Sequence, residues 1–410
     1  MGFLSSPLPS QTHEEPDFSN HLHSDSSSSS ISSESSLPSV PSLNSVSKDI
    51  PNINHQCIAT LKGHPSYVFS LVLSGKYLYS GSSNGELCMW SRRPSNQEGS
   101  AENVVFSCKS AVKSLVILGD KLFSAHQDHK IRVWKIEDST PYKKHKCIAT
   151  LPTINDRVTR LFLAKNYVEI RRHKKCTWVH HVDTISALAL SKDGSFIHSA
   201  SWDRTFKVWR TSDFKCLESV WNAHDDAINA IVLSNDGFVY TGSADKKIKV
   251  WKKKEGEKKH ILVDVLEKHK SAVNALALSP DGSVLYSGAC DRSIIVWEKT
   301  SSDGNMAVTG ALRGHTKAIL CLAVVSDLVC SGSADKTVRI WRKEFGKTYS
   351  CLAVLEGHKR PVKCLTAAED SCSADTSLAI GMPYLVYSGS LDCDVIKNVK
   401  REDDDYEPHF

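Results

Sequence analysis

Residue types suited to acid–base, nucleophilic or metal chemistry are plentiful, with thirteen cysteines, eighteen histidines and 46 aspartates plus glutamates in 410 residues. Their spacing decides what they do. No CxxC, HExxH, GxGxxG or phosphate loop occurs, so the commonest zinc, dinucleotide and nucleotide motifs are missing. The polar residues instead recur at set distances from tryptophan. YSGSSNGELCMW ends at Trp90, FSAHQDHKIRVW at Trp134, HSASWDRTFKVW at Trp209, YTGSADKKIKVW at Trp251, YSGACDRSIIVW at Trp297 and CSGSADKTVRIW at Trp341. Ahead of them stand His64, His181, His224, His269 and His315, with His358 opening a seventh unit. A polar residue repeated in every unit serves the unit's own structure. No nucleophile, base or metal set stands outside the repeat, so a non-enzyme without cofactor or metal is expected.

The elements that place these residues are short. Apolar segments such as AINAIVLS and AVNALALS lead to NDG or PDG turns, then to FVYTGS or VLYSGA, a DK or DR turn, and KIKVW. This pattern predicts four antiparallel strands per unit, reversing at the turn residues. The charge of +5 is mild for the length. Basic residues are dispersed, which disfavours direct nucleic-acid binding.

These phrases resemble the WD-repeat family, whose units are four-stranded blades of a β-propeller. The resemblance spans about residues 56–400 and implies an all-β, seven-bladed propeller. It further implies a hydrogen-bonded tetrad in each blade. Blade 3 carries His181, Ser199, Asp203 and Trp209; blade 4 His224, Thr241, Asp245 and Trp251; blade 5 His269, Ser287, Asp291 and Trp297; blade 6 His315, Ser331, Asp335 and Trp341. The other blades are incomplete and are expected to be weaker. Asn84 replaces the aspartate of blade 1, Cys108 stands where blade 2 needs histidine, and Asn398 stands where blade 7 needs tryptophan.

Strand bookkeeping predicts how the ring closes. Blade 7 lacks an outer strand, whereas HQCIATLKGH at 55–64 is an outer strand without a blade. Pairing them removes two open edges, so deleting 55–61 should unfold the protein and deleting 1–45 should not. Residues 1–54, rich in serine and proline, read as a disordered leader, either a plain solubilising tail or a phosphorylated regulatory segment. MGFLSS matches the loose myristoylation pattern, but Phe3 and Pro7 suit it poorly. No signal peptide or long apolar run is seen, so a cytoplasmic or nuclear protein with no membrane association is expected. Residues 55–400 form the propeller and 401–410 an acidic tail. From Trp134 to His181 is 47 residues, which predicts an insertion at about 153–175 rather than an eighth, degenerate blade. A second surplus predicts a loop at about 368–382 in blade 7. The basic runs at 171–175 and 252–259 read as solvated loops rather than as a binding patch or an import signal.

Cys57, Cys147, Cys216 and Cys351 recur in matching outer-strand phrases, which predicts small buried packing residues rather than disulfides or metal ligands. Eight tryptophans are accounted for by the repeat. Trp202 is not: it precedes Asp203, where other blades carry Ser83, Gln127, Ala244, Cys290, Ala334 and Leu391. In the family this turn lies on the partner-binding face, so Trp202 is a candidate hot spot, with local packing as the alternative. The loops after the histidines add charge. Asp183, Asp225 and Asp226 are acidic, Lys270, Lys317, Lys359 and Arg360 are basic, and Tyr67 stands between the two groups. Such a face suits a protein or peptide segment with unlike charges at its ends. No small-molecule substrate is implied, and a monomer is expected.

Two narrower resemblances bear on function. NYVEIRRHKK, TISALALSKDG and GHKRPVKCL behind a serine-rich leader resemble the plant WD-repeat proteins of the Jingubang type, which implies a regulatory adaptor tied to pollen germination and transcription-factor binding. Cullin-type ubiquitin-ligase receptors carry an acidic residue after the tryptophan and arginine three after it. Here Ser91 follows Trp90 with Arg93 in place, and no other unit keeps that arginine.

Overall fold

Each strand-connecting DK or DR turn works because one residue accepts a left-handed backbone. His129, Arg204, Lys246, Arg292, Lys336 and Cys393, each following the aspartate, have φ of 65–74°, and Gly85 takes the place in blade 1 at 88°. Within each turn the left-handed residue donates its N–H back three positions, as Arg204 does to Ser201 at 3.2 Å. The chain thus reverses tightly between two apolar strands.

The computed structural model describes residues 40–44, 55–92, 104–136, 145–161, 167–171, 174–254, 256–257, 259–300, 304–344, 346–369 and 384–400. Most of the leader, nearly all of the expected blade 7 loop, and the acidic tail lie outside these residues.

Seven four-stranded antiparallel sheets follow one another. Their inner strands are Val68–Ser74, Val112–Leu118, Ile185–Leu190, Ile228–Leu233, Val273–Leu278, Ile319–Val325 and Val362–Glu369. Each neighbours the next, and the seventh neighbours the first, so the ring is closed. The second strands are the most buried: every residue of Phe238–Ser243, Val284–Ala289 and Leu328–Ser333 is inside. The glycine of the recurring SG step has a packing reason. A Cβ on Gly288 would lie 2.4 Å from Ile319 of the next blade, too close for any side chain.

The closing strand is where the bookkeeping put it. His55–Leu61 pairs antiparallel with Val395–Lys400, Leu61 opposite Val395 and Cys57 opposite Asn398, completing blade 7 with the first strand of the chain. Between blades 2 and 3 the insertion forms a helix, Ile154–Leu161, and a hairpin of Tyr167–Arg171 and Lys174–Thr177. Buried Asp156 of the helix accepts the Cys216 N–H at 2.9 Å, tying the insertion to the outer strand of blade 3.

Two expectations need correction. Residues 40–44, assigned to the disordered leader, are packed on the propeller. Val40 and Leu43 are 3% and 7% exposed. Val40 sits among Phe238, Tyr240 and Met306, and Leu43 among Tyr286, Leu312 and Tyr349. The backbone is paired on both sides: Leu43 N–H donates to Ala311 (3.0 Å), and Tyr349 N–H donates to Leu43 (2.8 Å). Deleting 1–45 therefore removes a staple between the outer strands of blades 5 and 6. The outer-strand cysteines are also less uniform than expected, because Cys57 and Cys147 are exposed and only Cys216 is buried. Their place is nonetheless a repeat position. Cys147, Cys216, Cys351 and Cys57 oppose Trp134, Trp209, Trp341 and Asn398 in register. Each thiol donates to the carbonyl two residues on, at 3.5–3.9 Å.

Candidate functional site

The four complete tetrads have one geometry. In blade 3 the Trp209 indole N–H donates to Ser199 Oγ at 2.9 Å, the Ser199 hydroxyl donates to His181 Nε2 at 2.8 Å, and His181 Nδ1–H donates to Asp203 at 2.9 Å. Blades 4, 5 and 6 repeat this with Thr241, Ser287 and Ser331. Carboxylate acceptance at Nδ1 fixes the tautomer, which leaves Nε2 to accept. The hydroxyl–imidazole–carboxylate order is that of a nucleophile, its base and its orienting acid. Here the hydroxyl is sealed in: Ser199, Thr241, Ser287 and Ser331 are 0% exposed, and each already accepts an indole N–H.

What the aspartates do is hold loops. Asp245 accepts His224 Nδ1–H at 2.8 Å and the Asp225 N–H at 3.1 Å on one oxygen, and the Lys247 N–H at 3.0 Å on the other. Burial alone would raise its pKa, but these donors outweigh it and hold the carboxyl at about 2. The same balance keeps Asp203, Asp291, Asp335 and Asp392 below the usual carboxylate range. Each aspartate thereby locks the loop after the histidine to the turn after the second strand.

Blade 2 departs from the expected pattern. Cys108 does not leave the histidine place empty, because His126 reaches it from the second strand. Its Nε2 accepts the Ser124 hydroxyl at 2.8 Å, its Nδ1–H donates to the Ser110 carbonyl at 3.1 Å, and Trp134 donates to Ser124 at 2.8 Å. Asp128 is released and pairs with Arg132 instead. Burial pushes the His126 imidazole down to about 4. We expect His126→Ala to cost about 2 kcal/mol in urea denaturation, because it leaves a buried hydroxyl short of its acceptor. Asp128→Asn, touching a partly exposed ion pair, should cost under about 1 kcal/mol. The reverse order would contradict the substitution of His126 for the missing histidine. In blade 7, Ser388 and Asp392 hold His358 at 2.9 Å each, and the tryptophan place holds buried Asn398. A half-open groove of about 320 Å³ runs beside it, lined by Asn398, Cys57 and residues 352–356.

The locked loops form one face. The turn residue before each aspartate donates its N–H to the residue just ahead of the inner strand: Ser83 to Tyr67, Gln127 to Ala111, Trp202 to Thr184, Ala244 to Ala227, Cys290 to Ala272, Ala334 to Ala318, and Leu391 to Pro361, all at 2.8–3.0 Å. Trp202 and Tyr67 are half-buried there, as are Gln127 and Asp183. Asp225, Asp226, Lys270, Lys317, Lys359 and Arg360 are exposed. Asp183 and Asp226 cap the next residue, accepting N–H groups of Thr184 and Ala227 at 2.7 Å.

Only part of this set converges. Arg360 stacks 5.9 Å from the Tyr67 ring centroid and donates to its hydroxyl at 3.3 Å, and Tyr67 lies 6.5 Å from Phe69. Lys113 Nζ stands 4.0 Å over Phe69 and 5.7 Å from Trp202. Burial first, and then the neighbouring Lys363 charge, hold the Lys113 amine down at about 8. Phe69, Lys113 and Lys363 were missed by the sequence reading. All three are second residues of inner strands, at a register shift found in every blade. A bulge there re-aims the side chain that simple alternation would assign elsewhere. The equivalent Ser186, Asn229 and Asn274 spend their side chains on the next blade's carbonyls, at 2.5–3.0 Å.

The family model for the WD domain, G-beta repeat, matches residues 55–91, 173–210, 214–252, 261–298 and 306–342. The chain belongs to the WD40 repeat family. Four of the five WD40 matches coincide with the complete tetrads; blade 2, with its relocated histidine, and most of blade 7 lie outside them. Similar WD40 proteins include the small ribosomal subunit protein RACK1 of Drosophila melanogaster, 33% identical over 25% of this chain and 31% of its own length. Autophagy-related protein 16 of Arabidopsis thaliana is 25% identical over 65% of this chain and 52% of its own. Transcription factor unc-37 of Caenorhabditis elegans is 24% identical over 38% and 24%. The chain thus spans about a third to a half of the length of the first relatives it matches. Among the described residues no helix is long and apolar enough to cross a membrane, and no group of three or more His, Cys, Asp or Glu is placed to hold a metal ion.

Proposed function

We propose that this WD40 chain is a non-catalytic interaction scaffold that captures partner proteins through peptide segments on the face bearing Trp202. The observation that carries this reading is a contrast. The triad hydroxyls are sealed, while an aromatic and cationic set drawn from blades 7, 1, 2 and 3 stands partly open. A half-buried tryptophan beside charged loops is the composition of an interface hot spot with a polar rim. Tyr67, Gln127 and Arg360 extend the same surface. Asp183, Asp225 and Asp226 on one side, and Lys270, Lys317 and Lys359 on the other, orient the bound segment. The scaffold acts as a monomer in the cytoplasm or nucleus of a plant cell, as a regulatory adaptor of the Jingubang type with a transcription factor among its partners. The resemblance of the insertion and leader to that family supports this narrower assignment.

The test is affinity capture from plant tissue with wild type, Trp202→Ala, and Trp202→Ala combined with Asp225→Lys and Asp226→Lys. Partner recovery should fall at least tenfold in the triple variant while its thermal unfolding is unchanged. Equal recovery from all three proteins would remove the face from consideration.

A further inference from the structure

Lys113 is an unusual residue to find at the inner edge of this face. It lies between the Phe69 ring of blade 1 and the Trp202 ring of blade 3, and Lys363 holds the same register position on the inner strand of blade 7, the other neighbour of blade 1, from where its charge opposes that of Lys113. Among the described residues no carboxylate pairs with Lys113 or with Lys363. The aromatic faces compensate the charge only in part. The cations of blades 2 and 7 and Arg360 therefore make a local positive pole whose walls are apolar rings. The turn aspartates of the same two blades are engaged elsewhere, Asp392 by His358 and the Lys359 N–H and Asp128 by Arg132, with Asp394 beside Arg360 at the rim; the acidic loops of blades 3 and 4 serve as caps or are exposed to solvent.

We infer that this pole is a receptor for one anionic side chain, carboxylate or phosphate, on an extended partner segment, with Lys113 and Lys363 gripping the anion and Trp202 and Phe69 packing its neighbours. The inference rests on the partner-capture reading and names the chemistry of its anchor. An anion arriving there relieves the repulsion between two amines and gains two charge-assisted hydrogen bonds in a partly dehydrated place. A cationic side chain meets the opposite field. The acidic loops of blades 3 and 4 then favour basic residues toward one end of the same segment, which sets its direction.

The experiment uses the full chain, immobilised, against four nonapeptide libraries whose central residue is fixed as phosphoserine, glutamate, alanine or lysine. Wild type should retain the anionic libraries at least fivefold over alanine and reject lysine. A phosphoserine preference over glutamate identifies phosphate as the natural group, and parity identifies carboxylate. The Lys113→Gln and Lys363→Gln double variant should lose the anionic preference, whereas Lys113→Arg, which keeps the charge, should retain it. Retention that depends on Trp202 but ignores the fixed residue would overturn this inference and leave the capture face standing. Retention that ignores Trp202 as well would overturn both.

Discussion

Deleting residues 55–61 will abolish the folded protein, whereas deleting residues 1–39 will leave the melting curve unchanged. The deleted strand pairs along its whole length with Val395–Lys400, and Leu61 packs with Val68, Trp90 and Leu385 across the joint between blades 7 and 1. Losing some six residues of ladder at roughly 0.5–1.5 kcal/mol per hydrogen bond, plus the apolar contact, is comparable with the whole stability of an ordinary domain. Blade 7 has the least to spare, since buried Asn398 stands in place of its tryptophan and Ser388 receives no indole N–H. The exposed edge of Val395–Lys400 is then free to pair with another chain. Size-exclusion chromatography should show aggregate or an expanded chain for the first deletion and the elution position of the full-length protein, corrected for the lost residues, for the second. A sharp, native-like transition from the protein lacking 55–61 would refute closure by the first strand.

The staple at 40–44 is the second place where a small change should have a large effect. Val40→Ser with Leu43→Ser removes two buried apolar side chains from the clefts flanking the outer strands of blades 5 and 6. The cost should be about 4 kcal/mol, in the range of large-to-small core substitutions. Gly310→Leu reaches the same end from the other side. A Cβ at Gly310 would lie 2.5 Å from Leu43 Cγ and 2.8 Å from the Pro41 carbonyl, so the segment has to leave. Ser42→Ala, at an exposed position, should cost less than about 0.5 kcal/mol. Denaturant titration reads the energies, and hydrogen exchange at Leu43, Ala311 and Tyr349 reads the release. Unchanged protection at Ala311 and Tyr349 in the Gly310 variant would mean that the staple holds nothing.

How much of this was legible in the sequence follows from what the repeat averages and what it hides. Six tryptophans, 42–46 residues apart except across the insertion between Trp134 and Trp209, together with His358 reported the seven blades, because six of them bury the same indole against the same hydroxyl. Closure was legible too, since a spare strand at one end and a missing one at the other admit one pairing. His126 was hidden because the repeat was read by position: Cys108 occupied the expected place, and nothing local says that an imidazole two residues past Ser124 reaches the same hydroxyl. Val40 and Leu43 were hidden by composition, two apolar residues within a serine- and proline-rich stretch. Phe69, Lys113 and Lys363 were hidden by geometry. A bulge after the first residue of every inner strand shifts the alternation, so a period-two reading aims these side chains wrongly. Trp202 stood out because its turn position is filled by smaller residues in other blades, and in the structure it is half-buried with Lys113 Nζ 5.7 Å from its ring.

The most direct test of the scaffold reading is hydrogen exchange on the complex with whichever partner the Trp202-dependent capture recovers. Protection should appear at residues 67–70, 111–114, 183–185, 202–204, 225–227 and 359–363, the turns and inner-strand entrances of one face. Protection confined to the outer strands or the insertion, with those turns exchanging as in the free protein, would contradict the account.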